Sequence, residues 1–127
     1  MDSKLYLTIV AVLGVLYGIM FVLFPSDAVA FYGVTGQPNA AYATQFFGSA
    51  LLALAVIVWY ARNFKDWDAV RSVLIGGLVL FVLDLLLGLW GIKQGLVNAM
   101  GWSTVVVNVL LIAGALHCLR GKALQAA

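Results

Sequence analysis

The residues able to do chemistry in this chain are few and scattered. Its five acidic residues are all aspartate, and it has one histidine, His117, and one cysteine, Cys118. The absence of glutamate removes most glutamate-based acid–base chemistry. His117 and Cys118 are neighbours, and adjacent side chains on a helix do not face each other, so they form no nucleophile–base pair. A single thiol excludes an internal disulfide and a CxxC metal or redox pair. No glycine-rich phosphate loop, HExxH pair or Ser-His-Asp set is present. His117, with the small Ala113 one turn before it, has the pattern of a helix that ligates a pigment macrocycle. Small residues are abundant here, which makes that spacing weak, and hydrogen bonding at an interface is the favoured reading of His117. The expectation is a protein with no enzymatic activity, no metal and no cofactor.

Asp84 stands apart from these. It lies inside a long apolar run, where an aspartate costs roughly 2.5–3.5 kcal/mol on insertion scales and normally faces the interior of a bundle. With a rise of about 1.5 Å per residue, Asp84 sits ~12 Å from the outer end of its run. The same arithmetic puts Tyr17, Ser49 and Asn108 each ~10 Å from the outer ends of theirs. This coincidence of depth predicts a buried hydrogen-bonded layer of Tyr17, Ser49, Asp84 and Asn108, with Gln45 a turn above. Two roles compete for it. In one the layer is glue that fixes register between helices. In the other Asp84 takes a proton, a cation or a polar ligand head. Glue is the expected role, because a proton relay needs several ionisable groups along a path.

These residues need elements to hold them. Hydrophobic residues make up 65% of the chain and charged residues only 9%, where a soluble domain carries about 25% charged. Mean hydropathy is +1.08, so lipid must be the solvent. A helical span needs roughly 20 apolar residues, and the segments 5–24, 42–61, 73–92 and 101–119 meet that length. Unpaired backbone groups are not tolerated in lipid, and the runs are apolar on all faces, which selects helices over an alternating barrel. Ser26-Asp27 predicts a short amphipathic helix through Tyr32, lying on the membrane surface and ended by Gly33 and Gly36. Ala28-Val29-Ala30 fits a signal-peptide cleavage site. The ~20-residue stretch before it exceeds the 7–15 of a signal core, and Asp2 spoils the basic start, so a retained span is expected. The whole of 1–127 reads as one all-α domain: an antiparallel four-helix membrane bundle with a short interfacial helix after the first span.

Lys4, Arg62, Lys65, Arg71, Arg120 and Lys122 fall on one side of that arrangement and only Lys93 on the other. Basic loop residues stay on the cytoplasmic side, which puts both termini in the cytoplasm. Trp59, Trp67, Trp90 and Trp102 fall near span ends, where aromatic anchors belong. Apolar burial does not drive helix association in lipid; close packing and polar contacts do. The candidate stripes are Gly14 and Gly18; Gln45, Ser49 and Ala53; Gly77, Asp84, Gly88 and Gly91; and Gly101, Thr104, Asn108 and Ala115. The Gly14–Gly18 pair suits an internal contact and a contact with another subunit equally well.

The runs Phe24-Pro25, Phe31-Tyr32-Gly33-Val34, Gly48-Ser49-Ala50-Leu51-Leu52 and Trp59-Tyr60-Ala61-Arg62-Asn63 resemble a family of small bacterial four-span proteins. So does Val97-Asn98-Ala99-Met100-Gly101-Trp102-Ser103-Thr104. Over nearly the whole chain the similarity is to the DoxX-like and related hypothetical membrane proteins. The resemblance implies the fold and the orientation and no particular chemistry. It also implies an acid at the place of Asp84. Where Gln45 stands the resemblance implies an arginine more often, so any ion pair between the two sites is altered here.

The function expected from these readings is a small accessory or structural subunit of a bacterial inner-membrane complex. Its partners would be membrane lipid and other membrane subunits or further copies of itself. The net charge of +2, without a basic run, suggests no nucleic acid. The alternative is a binding or transport module for a small hydrophobic or amphipathic ligand, using an outer-leaflet polar pocket around Asp84.

Overall fold

The computed structural model describes residues 2–126, with the backbone alone for residues 122–126. The side chain of Lys122, counted above in the charge asymmetry, lies outside the described residues. The described chain forms five helices: α1 (Ser3–Leu23), α2 (Pro25–Phe31), α3 (Pro38–Ala61), α4 (Trp67–Lys93) and α5 (Gly101–Ala126). Four of them, all but α2, are long and apolar enough to cross a membrane. The shortest of the four has 21 residues, about 32 Å of helix, against a hydrocarbon core about 30 Å thick.

The ends of the helices follow local chemistry. Asp2 caps α1, its Oδ1 accepting from the Leu5 amide at 2.8 Å, and Asp66 caps α4 through the Asp68 amide at 3.1 Å. α1 stops at Phe24 because the residue before a proline is pushed out of helical geometry. Pro25 and Pro38 then open α2 and α3, where a missing amide hydrogen leaves no bond unmade. α2 and α4 end in the same way. The Val34 amide reaches Val29 O at 3.0 Å and the Leu96 amide reaches Gly91 O at 2.9 Å, across Gly33 and Gly95 at φ +87° and +71°. Glycine adopts that left-handed geometry without a Cβ penalty. Caps and prolines also explain why α3 and α4 start at Pro38 and Trp67, earlier than the hydropathy boundaries at 42 and 73.

α1 lies chiefly against α3 and α4 chiefly against α5, with fewer contacts joining the two pairs. The α1–α3 seam is built on small residues. A Cβ placed on Gly14 would stand 3.0 Å from the Ala55 Cβ, and one on Gly18 would stand 2.7 Å from Leu52 Cγ and 3.1 Å from Gly48 O. The Gly14–Gly18 pair is thus used inside the chain. The Gln45–Ser49–Ala53 stripe is not an inward face: Ser49 and Ala53 are exposed. α3 turns Ala41, Gly48 and Ala55 inward instead.

At one end the pairs are joined by a cluster of Tyr6, Leu7, Ala61, Val70, Leu74, Ala115 and Cys118. Tyr6 is 4% exposed, and its hydroxyl donates to Leu111 O at 2.7 Å. Tyr6→Phe is expected to lower the unfolding free energy in detergent titrations by roughly 1 kcal/mol, the scale of hydrogen bonds between membrane helices. An unchanged value would mean that this α1–α5 bond adds nothing. Outward-facing side chains are large and apolar, among them Leu16, Leu23, Leu87 and Leu110 at 60–65% exposure. Water does not solvate such a surface, and a hydrocarbon solvent does.

Candidate ligand cavity

Where the two helix pairs part, a cavity of about 310 Å³ opens between α1, α3, α4 and α5. This is at the small end of the range of ligand sites, about 300–1,000 Å³. Most of its wall is apolar: Val10, Leu13, Leu51, Leu54, Val73 and Leu80 are among the lining residues. The lining on α4 runs from Val73 to Asp84, roughly 16 Å along the helix.

Its polar residues gather at one end. Tyr17, Tyr32, Asp84, Thr104 and Asn108 all line the cavity. Each comes from the part of its helix nearest α2 or, for Tyr32, from the residue that closes α2. The other end is shut by the Tyr6–Leu74 cluster, to which Val10, Val58, Val73 and Leu111 are packed. A polar end and an apolar end in one cavity are the complement of an amphipathic molecule.

The hydrogen bonds within this group leave capacity over. The Thr104 hydroxyl donates to the Tyr32 hydroxyl at 3.0 Å, and Asn108 Nδ2 donates to Thr104 O of its own helix at 3.0 Å. Asp84 is half-buried, and among the described residues nothing bonds to its carboxyl; the Tyr17 hydroxyl is likewise without a protein partner. A carboxyl and a phenol can each accept a hydrogen bond from a ligand.

Three of the five residues expected to form one layer therefore share the cavity: Tyr17, Asp84 and Asn108. Ser49 and Gln45 do not. The Ser49 hydroxyl is exposed and bonds back to Phe46 O at 2.9 Å. Gln45 Nε2 donates to Val22 O at 3.0 Å across the α1–α3 seam, which leaves it away from Asp84. The physical reason is helical phase. α3 lines the cavity with Phe47, Leu51, Leu54 and Val58. At about 100° per residue, Gln45 and Ser49, each two positions from Phe47, point some 160° away from that face. Equal depth did not mean equal direction.

Tyr32 is placed by contacts that spacing does not reveal. Asn98, in the α4–α5 connection, bonds to both α2 and the start of α5. Its amide donates to Tyr32 O at 2.8 Å, its Nδ2 donates to Phe31 O at 3.1 Å, and its Oδ1 accepts from the Met100 amide at 2.9 Å. This clamp fixes the end of α2 over the polar end of the cavity. Gly33 is pressed against it: a Cβ there would lie 3.1 Å from Asn98 Cβ. Thr104 was readable as part of the Asn108 stripe; Tyr32 and Asn98 were not readable as site residues.

His117 lies elsewhere. It is exposed near the end of α5, in a second, polar crevice that Asp2, Lys4, Arg62 and Lys65 also line. Comparison with protein-family models, curated proteins and solved structures found no match to this chain. What the helices define is a multi-pass membrane protein with four candidate spans and a cavity among them.

Proposed function

We propose that this chain is a non-enzymatic membrane protein that binds a small amphiphile between its helices. In this reading the four spans form an antiparallel bundle in a bacterial inner membrane, with both termini on the cytoplasmic side. The contact order supports the antiparallel arrangement, since Gly14 meets Ala55 while Gly18 meets Gly48 and Leu52. The charge asymmetry supports the orientation: Lys4, Arg62 and Lys65 gather in one crevice at the end that holds the N-terminal residues.

The proposal rests on the Asp84 carboxyl and Tyr17 hydroxyl, which have no hydrogen-bond partner among the described residues and lie at the polar end of a mostly apolar cavity. Their chemistry selects a head group that donates hydrogen bonds, such as an alcohol or an amine, on an apolar tail. A long-chain alcohol with a diazirine at the tail tip tests this. After irradiation, adducts are expected on Val10, Val58, Val73 or Leu111, at the apolar end of the cavity. Adducts confined to outward residues such as Leu16 and Leu110 would contradict the proposal.

An accessory role in a larger complex is the second reading. Its support is α4, where only 11% of the residues in its apolar stretch are buried within the chain, leaving a face for another subunit. Extraction in a gentle detergent separates the readings, because this role requires stoichiometric protein partners.

A further inference from the structure

The second crevice, at the end of the molecule opposite α2, has a volume of about 650 Å³. Three cationic side chains line it: Lys4 from the first turn of α1, and Arg62 and Lys65 from the α3–α4 connection; His117 of α5 completes the rim. Among the described residues none of these cations is in an ion pair, although Asp2 also lines the crevice. Asp2 and Asp66 cap helices, accepting from the Leu5 and Asp68 amides. Arg62 is held in place: its Cζ lies 3.6 Å from the centroid of the Trp59 ring. Its Nε is buried and has no hydrogen-bond partner. A buried, charged donor left unsatisfied is rare, and an unseen ion is one of its ordinary explanations.

From this geometry we infer that the Lys4–Arg62–Lys65 crevice binds a phosphate group, carried by the headgroup of an anionic phospholipid. Guanidinium and ammonium groups converging from separate segments are the chemistry that recognises phosphate oxygens. Position selects the lipid source. The crevice lies at the ends of the spanning helices, where headgroups stand, and Arg71 and Arg120 add positive charge at the same end. Basic residues at that depth attract acidic lipid. The site is separate from the Asp84 cavity, which shares no lining residue with it.

Thermal unfolding of the full chain in zwitterionic detergent tests the inference, with dioleoyl phosphatidylglycerol, dioleoyl phosphatidylcholine or inorganic phosphate added. Phosphatidylglycerol is expected to raise the unfolding temperature saturably, and phosphatidylcholine, whose own ammonium offsets its phosphate, is not. Arg62→Gln should raise the half-saturating concentration of phosphatidylglycerol roughly tenfold, as loss of a charge-assisted bond does. Lys4→Gln with Lys65→Gln, on exposed positions, should do the same without disturbing the fold, and Lys93→Gln at the far end should not. Equal stabilisation by both lipids, or a double variant that titrates like the parent, would overturn the site. Stabilisation by inorganic phosphate at the same concentrations would overturn the lipid source and uphold the phosphate chemistry.

Discussion

Gly48→Val is expected to take the α1–α3 pair apart. A Cβ at position 48 would stand 2.7 Å from the Phe21 Cβ, 3.0 Å from Gly18 O and 3.0 Å from Val22 Cγ2. Two of those neighbours are fixed to backbone, so the helices must separate rather than a side chain rotate. Overpacking typically costs about 1–3 kcal/mol, and a clash against backbone should reach roughly 3 kcal/mol or more. Because lipid offers no hydrophobic force to hold helices together, lost close packing is not made up elsewhere. Gly76 is the control, since a Cβ there meets nothing within 4 Å. Detergent-induced unfolding of both variants checks this. A Gly48→Val protein as stable as Gly76→Val would mean that α1 and α3 do not touch along this seam.

Asp84→Leu is expected to make the ligand-free protein more stable and a poorer binder. The acid has no protein partner, so its removal breaks no bond, and it relieves an insertion penalty of roughly 2.5–3.5 kcal/mol. In the proposed function the same change removes the group that would anchor the ligand head. One lost hydrogen bond of about 1 kcal/mol corresponds to roughly a fivefold fall in affinity. Asp84→Asn keeps a hydrogen-bonding side chain of the same shape and should fall between the two. Unfolding in detergent and retention of a bound alcohol are read in parallel. A leucine variant that loses stability would assign Asp84 to register between helices, the glue role expected from sequence.

How far the chain could be read from its residues depended on which physical signal was in play. Hydropathy marked the four spans because 20 apolar residues are a coarse, one-dimensional feature. The breaks at Pro25 and Gly33 were equally plain, since a proline and a left-handed glycine act locally. The helix starts at Pro38 and Trp67 were missed because proline geometry and the Asp66 cap, not hydropathy, set them. Depth along a helix was enough to bring Tyr17, Asp84 and Asn108 together. It failed for Ser49 and Gln45, whose direction depends on which face α3 gives to α1, and that face was decided by Gly48 and Ala55. Tyr32 and Asn98 were out of reach because they meet across 66 residues of chain. A contact at that separation is a product of packing and leaves no spacing to find.

The most direct test of the amphiphile-binding account is native mass spectrometry of the protein extracted gently from its own membranes, alongside Gly76→Leu. Gly76 lines the cavity and a Cβ there meets nothing within 4 Å, so leucine adds bulk at the cavity wall without a clash. One reproducible small-molecule adduct is expected on the parent, strongly depleted in Gly76→Leu while the fold persists. A parent that carries no adduct, or an adduct retained equally by Gly76→Leu, would contradict it.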